Sequence, residues 1–195
     1  MKIIGLMDRS GMPSLPTQYS RMVDDATEPM LVAKRINRSA YTCVLVVIDD
    51  MVPDTSVLIR EARTLAPGAK MILLYVLQFS LEDRLRYVDA SEEKLAKVRM
   101  QQHEEALDAM SAILCTAGVN GSDVATAVEH GDFATAALKL GRELNVDLTV
   151  IGTRPTSALR RFFCRSPAKE LIEKAACDVL AVPVELASKY NEVKQ

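Results

Sequence analysis

The sequence lacks long apolar runs, a strong charge of one sign and paired cysteines, and each absence excludes a class of protein. No stretch approaches the roughly 20 apolar residues that cross a bilayer. The four cysteines form no C-x-x-C pair and the chain has two histidines, so the ligand spacing of a zinc site is missing. A net charge of −2 leaves no basic surplus for a nucleic-acid duplex. We therefore predict no membrane contact, no metal site and no nucleic-acid partner.

The remaining composition is that of a globular protein. Hydrophobic residues make up 49% of the 195 residues and charged residues 26%, which suits one core of ordinary size. The first residues, MKIIGLMDRSGMP, have too short an apolar segment and the wrong flanks for a secretory signal. We predict a cytoplasmic location.

Residues 1–40 differ in pattern from the rest of the chain. Gly11 and three prolines (Pro13, Pro16 and Pro29) interrupt a polar stretch there and argue against a continuous helix or strand. Residues 2–7 (KIIGLM) have two interpretations, a short strand added to a sheet or an arm that docks on a partner subunit. We predict an N-terminal extension over residues 1–40, as a partly ordered arm or tail, and one domain over residues 41–195.

From Tyr41 onward, apolar strand runs alternate with helical patterns. Asp132 is predicted to cap one helix, and Ser166 followed by Pro167 is predicted to start another. Strands separated by helices, without tight hairpin turns, indicate parallel pairing with crossovers. The predicted strands are residues 44–48, 71–76, 123–129, 146–151 and 178–182. The predicted fold is therefore α/β, an open five-stranded, mostly parallel, Rossmann-like sheet with helices on both faces.

Polar residues follow the carboxyl ends of these strands, where open parallel sheets bind their ligands. Asp49 and Asp50 follow the first strand, Val76 ends the second, and Gly152 opens a long loop after the fourth. Ser166 begins the next helix, whose N–H groups point toward the same edge. The two aspartates have two interpretations, a Mg²⁺ ligand pair or ordinary turn formers.

Residues 41–183 resemble the universal stress protein domain, an α/β fold with an adenine-nucleotide site in some members. The match includes VLVVIDD, PGAKMILLYV, GDFATAAL, DLTVIGTR and CDVLAVP, in the same order. The resemblance implies that Asp49 approaches the adenosine, that Val76 approaches the adenine, and that the later residues line the ribose and phosphates. It also implies a homodimer, which we predict to form through the C-terminal strand VLAVP at a sheet edge. The candidate nucleotide-binding residues are Asp49, Val76, Gly152, Thr153, Arg154, Arg165 and Ser166.

The chain departs from the glycine motif of this family. ATP-binding members carry G-x2-G-x9-G-[ST] after the fourth strand, whereas this chain has Pro155 and Arg165 at the second and third glycines. Pro155 has no N–H to donate, and the Cβ of Arg165 restricts close approach to a phosphate. Losing one or two donors of roughly 1.5–3 kcal/mol each weakens ATP binding by roughly tenfold to several-thousand-fold. Arginines 154, 160, 161 and 165 either replace these donors, form a solvated loop face or contact a partner.

Three functions follow from these residues. The leading hypothesis is a non-catalytic regulatory or protective homodimer that needs no cofactor and lacks ordinary ATP binding. The alternative is an ATP- or AMP-binding switch in which arginines replace the glycine loop, with Mg²⁺ present only beside ATP. The third is an enzyme of the adenine-nucleotide hydrolase superfamily, which the sequence disfavours because it shows no convergent Ser-His-Asp or Cys-His set. We predict no catalytic residues, with weak ATPase activity as the exception to test.

Overall fold

The computed structural model describes residues 2–5, 27–34, 40–49, 55–77, 91–153 and 167–184. Within them, seven strands form one sheet. The strands are β1 (Lys2–Gly5), β2 (Met30–Ala33), β3 (Cys43–Asp49), β4 (Lys70–Leu77), β5 (Val124–His130), β6 (Leu148–Thr153) and β7 (Asp178–Pro183). Their order in the sheet is β1-β2-β7-β6-β3-β4-β5. The helices are α1 (Ser56–Leu65), α2 (Glu92–Thr116), α3 (Phe133–Glu143) and α4 (Pro167–Lys174), and a 3-10 turn spans Gly121–Asp123.

The five strands β3 to β7 pair in parallel, which confirms the predicted α/β class. Their apolar runs are buried on both faces, as in the segment 44–48, where every side chain is inaccessible to solvent. Two further strands come from residues 1–40, so the sheet has seven strands where five were predicted. Of the two interpretations of residues 2–7, the added strand is the one that Lys2–Gly5 forms.

The prediction that the C-terminal strand lies at a sheet edge is wrong. β7 pairs in parallel with β6 on one side and antiparallel with β2 on the other. β2 escaped the sequence analysis because it is four residues long, MLVA, and directly follows Pro29. The β7 edge is therefore already occupied within the chain.

Helices cover both faces of the sheet, as predicted. On one face, Phe133 of α3 and Leu171 of α4 pack against strand residues that include Leu45. On the other face, Leu58 of α1 and Met110 of α2 join a second cluster. The sheet thus lies between two apolar layers.

Two helix ends are formed by the residues expected from the sequence. The carboxylate of Asp132 accepts the N–H of Thr135 at 2.8 Å and caps α3. After α2, Gly118 adopts a φ of +69°, and its N–H donates to the carbonyl of Cys115 at 3.0 Å. Among the described residues, no helix combines the length and the apolar character needed to cross a membrane.

Candidate functional site

The strand order reverses between β3 and β6, and three of the candidate residues lie at the ends of these two strands. The chain continues from β3 to its neighbour β4 on one side and from β6 to its neighbour β7 on the other side. These two connections therefore run in opposite directions along the sheet. In open α/β sheets, ligands bind outside the carboxyl ends of the strands at such a point. Asp49 ends β3, and Gly152 and Thr153 end β6. The predicted residues of these two strands therefore lie at one edge of the sheet.

β3 and β6 part at this edge. Their register covers four pairs, from Val44 with Leu148 to Val47 with Ile151, and then stops. By contrast, β3 stays paired with β4 up to Asp49, and β6 stays paired with β7 up to Thr153. The last two residues of β3 and of β6 therefore do not pair with each other, and we call this end of the two strands the crevice, after the crevice in which open α/β sheets bind ligands.

The structure places Val76 and Thr153 beside this crevice as largely inaccessible residues. Val76 is the register partner of Asp49 and is 0% exposed, within the core under α3 and α4. Thr153 is also buried, and its carbonyl accepts the N–H of Val184 at 2.8 Å. Both residues contribute to packing, and their predicted contacts with a nucleotide stay predictions.

Gly152 is the last but one residue of β6, so the loop begins two residues later than predicted. It does not have the positive φ found at Gly118 and Gly131. A Cβ at Gly152 would lie 3.4 Å from Val184 Cγ2 and 3.8 Å from Leu58 Cδ1. These two side chains fill the space beside Gly152 on the α1 face. Sequence reasoning missed Val184 because the predicted strand ended at residue 182.

Several predicted residues lie outside the described residues. These are Arg154, Arg165 and Ser166 of the candidate nucleotide site, together with Asp50, Pro155 and the arginines at 160 and 161. The backbone of Asp49 is described as part of β3. The start of α4 at Pro167 agrees with the helix start predicted from the Ser-Pro pair.

Among the described residues, β5 and α3 contribute charged groups at the carboxyl edge of the sheet. Glu129 and Lys139 form an ion pair of 3.7 Å in which both side chains are exposed. The N–H of Thr135 holds the pKa of the Asp132 carboxyl below its ordinary value. Among the described residues, no group of three or more His, Cys, Asp or Glu side chains could hold a metal ion.

At the amino edge of the sheet, Asp147 ties β6 to the start of β3. Its carboxylate accepts the N–H and the hydroxyl of Thr42, both at 2.8 Å, and the N–H of Cys43 at 3.1 Å. These charge-assisted hydrogen bonds join segments 105 residues apart in sequence. Asp147 therefore has a structural role.

Asp178 has a similar role at the start of β7. This residue is 5% exposed, and its carboxylate accepts the N–H of Lys34 at 2.7 Å and the hydroxyl of Tyr41 at 2.8 Å. The Lys34 ammonium donates to the carbonyl of Ala175 at 2.5 Å, at the C-terminus of α4. Burial lowers the pKa of Lys34. The buried carboxylate thus joins the start of β7 to Lys34, which follows β2, and to Tyr41, which precedes β3.

A cavity of about 420 Å³ also lies at the amino edge, between the C-terminal ends of α3 and α4. Small residues such as Gly141 and Ala175 line it, and Cys177 lies among its lining residues. Burial raises the pKa of the Cys177 thiol, whose sulfur lies 3.2 Å from the Thr149 hydroxyl. A neutral thiol is a poor nucleophile. This cavity is at the opposite end of the strands from the crevice, so it is not the predicted nucleotide site.

Comparison with known proteins assigns most of the chain to one family. Residues 40–183 match the profile of the universal stress protein family. The chain belongs to that family. This confirms the resemblance inferred from the sequence segments, which covered nearly the same residues.

This universal stress protein family member spans about half the length of the curated relative that it matches. A Staphylococcus aureus (strain USA300) protein named for the same family is 36% identical over 83 residues, which span 42% of this chain and 49% of that relative. A universal stress protein from Archaeoglobus fulgidus superposes with a TM-score of 0.62 at 14% identity, covering 93% of this chain and 62% of that structure. A universal stress protein in complex with cAMP has a TM-score of 0.51 at 21% identity, covering 75% of this chain and 100% of that one. At these identities the two structures show the shared fold.

Proposed function

We propose that this chain is a regulatory or protective universal stress-type protein that acts without catalysis and without ordinary ATP binding. One mismatch carries the proposal. The crevice between β3 and β6 lies where such sheets bind nucleotides, but Val184 and Leu58 pack beside Gly152 at its mouth. A ribose or phosphate approaching Gly152 from the α1 face has to displace these side chains.

The sequence after β6 supports the same proposal. Pro155 has no backbone donor, and Arg165 adds a side chain where the family motif has glycine. Each lost hydrogen bond to a charged phosphate costs roughly 1.5–3 kcal/mol, and each 1.4 kcal/mol is about tenfold in affinity. A triphosphate depends on many such donors, so ATP is the nucleotide most affected.

The test begins with the purified full chain. It is denatured, the released small molecules are chromatographed, and ATP, AMP and cAMP are titrated by calorimetry. We expect no stoichiometric nucleotide and ATP binding weaker than roughly 10 μM, a free energy near −7 kcal/mol. Stoichiometric adenine nucleotide, or tighter ATP binding, would overturn the proposal.

A gain-of-binding variant provides the matched comparison. Pro155→Gly with Arg165→Gly restores the glycines of the family motif and one N–H donor. We expect this double variant to bind ATP at least about tenfold more tightly than the wild type, because one regained donor to a charged group is worth roughly 1.5–3 kcal/mol. Unchanged affinity would show that the altered glycines are not what limits binding.

The second candidate is a nucleotide-binding switch in which loop arginines bind the phosphates. The cAMP complex of one structural neighbour favours it, because a single cyclic phosphate needs fewer donors than a triphosphate. If cAMP or AMP binds in the titration, Arg154→Ala and Arg165→Ala should weaken it, and Arg161→Ala should matter less. Equal affinity in all three variants would count against this candidate, and steady ATP turnover by clean protein would support an enzyme.

The homodimer and the cytoplasmic location stay predictions. While β2 occupies the β7 edge, a homodimer of this chain has to use another surface. Light scattering of the full chain at micromolar concentration tests it, and a mass of one chain would overturn it.

A further inference from the structure

The outer edge of β7 is closed by an element of the same chain that is part of the core. Met30, Leu31 and Val32 of β2 lie opposite Ala181, Leu180 and Val179 in antiparallel register. Met30 and Val32 belong to the apolar cluster under α3 and α4, and Leu31 belongs to the cluster on the other face. All three are buried, so β2 contributes to both apolar layers.

The residue after β2 anchors it. The N–H of Lys34 donates to the buried carboxylate of Asp178 at 2.7 Å, and its ammonium donates to the carbonyl of Ala175. A cation at the C-terminus of α4 is also favoured by the helix dipole. Two main-chain segments that are far apart in sequence are thus joined at the end of β2.

The direction of β2 is the informative feature. The pairings of β7 with β6, β6 with β3, β3 with β4 and β4 with β5 are all parallel, whereas β2 runs antiparallel to β7. Two copies of one strand related by a two-fold axis also pair antiparallel. β2 therefore has the orientation that the β7 strand of a second copy would have at this edge.

We propose that β2 closes the β7 edge within the chain and so blocks pairing of β7 with the β7 strand of a second copy. Val179, Leu180 and Ala181 are all buried, so an open β7 edge would present unpaired backbone groups between two apolar faces. β2 and a second β7 strand use the same backbone groups and exclude each other. Release of β2 is then the step that exposes a dimerisation surface.

The first test releases β2 in the full chain. The double variant Met30→Asp/Val32→Asp places two charges in the core under α3 and α4, which disfavours docking of β2. Ile3→Asp is the matched control, because Ile3 of the neighbouring strand β1 is 65% exposed. Mass by light scattering and hydrogen exchange at residues 179–181 are measured from low to high micromolar concentration.

In the wild type and in Ile3→Asp, we expect exchange at residues 179–181 to be slow and independent of concentration. In the double variant, exchange should be about tenfold or more faster at low concentration, since an unpaired edge is poorly protected. It should slow again at high concentration as the mass doubles. A folded double variant that stays at the mass of one chain would overturn the proposal, as would wild-type exchange that slows with concentration.

A second test does not depend on the double variant folding. Leu31→Cys with Leu180→Cys puts two cysteines at directly opposed positions, where a disulfide can form. The variant and the wild type are oxidised side by side, so that the native cysteines are accounted for. We expect a bond within one chain and the mass of one chain on a non-reducing gel. A covalent dimer joined through these cysteines would overturn the proposal.

Discussion

At the amino edge of the sheet, carboxylates hold the strands together, whereas at the carboxyl edge two neighbouring strands part. Asp147 and Asp178 accept five hydrogen bonds from Lys34, Tyr41, Thr42 and Cys43. At the other edge, the pairing of β3 with β6 stops two residues before either strand ends. The difference indicates that the amino edge contributes more to the stability of the fold than the carboxyl edge. The departures from the glycine motif, Pro155 and Arg165, follow the carboxyl end of β6 in the sequence.

The largest expected effect is at the amino edge. Asp178→Ala removes a buried acceptor of two hydrogen bonds, which we expect to lower the free energy of unfolding by about 3 kcal/mol. Glu129→Ala is the control at the carboxyl edge. It breaks an exposed ion pair and should cost no more than about 0.5 kcal/mol. Urea denaturation measures the unfolding free energy of both variants. Equal losses would contradict the conclusion that the amino edge contributes more to stability.

The next effect concerns a turn at the carboxyl edge. Gly131 adopts a φ of +118°, and its N–H donates to the carbonyl of Leu77 at 3.1 Å. Side chains disfavour this backbone conformation, so Gly131→Ala should cost about 1–3 kcal/mol. Gly68→Ala is the control, because Gly68 has no positive φ and open space around its Cα. If Gly131→Ala left the free energy of unfolding unchanged, the turn would be able to adopt another backbone conformation without cost.

A smaller effect, which depends on pH, is expected at the cap of α3. Asp132→Ala should cost about 1 kcal/mol at neutral pH, because the N–H of Thr135 loses its acceptor. The pKa of Asp132 is lowered in the folded chain by that same N–H. Its contribution is therefore fully present above the ordinary carboxyl pKa and is lost as the pH falls through the lowered value.

Denaturation of the wild type and Asp132→Ala at neutral and at strongly acid pH measures this. The difference in unfolding free energy between the wild type and Asp132→Ala should become smaller in acid. The difference between Asp132→Asn, which keeps a cap without a charge, and Asp132→Ala should not. A gap that stays constant would contradict the assigned cause of the pKa shift.

The smallest effect is expected at Gly152. Its φ is not positive and a Cβ would lie at contact distance from Val184 and Leu58, so Gly152→Ala should change stability by no more than about 1 kcal/mol. Gly152→Leu, whose side chain overlaps these neighbours, should cost about 1–3 kcal/mol. Thermal unfolding measures both variants. A leucine variant as stable as the wild type would show that the space beside Gly152 is larger than the contacts with Val184 and Leu58 indicate.

The five central strands and the caps could be predicted because their signals are local. Apolar runs of strand length identify β3, β4 and β7, and Asp132 has its cap partner three residues away. β2 could not be predicted in the same way, because its four residues form a strand only against β7. Pro29, just before it, also suggested a turn.

For the candidate site too, the part that follows from local sequence signals could be predicted and the part that depends on distant contacts could not. Parallel strands place their carboxyl ends together, so bringing Asp49 and Gly152 to one edge followed from the predicted topology. The packing of Val184 and Leu58 beside Gly152 comes from elements that are distant in sequence. Periodicity and spacing contain no information on such contacts.

The closure of the β7 edge also sets an order of events during synthesis. Lys34 and its partner Asp178 are 144 residues apart in sequence, so β2 leaves the ribosome long before the strand it pairs with exists. Contacts of such high sequence separation form slowly, because a long loop has to close before they can form. During translation β2 therefore has only β1 as a strand neighbour, and its β7 side stays open until β7 is made. A nascent chain stalled before β7 should be the form of this protein most dependent on chaperones.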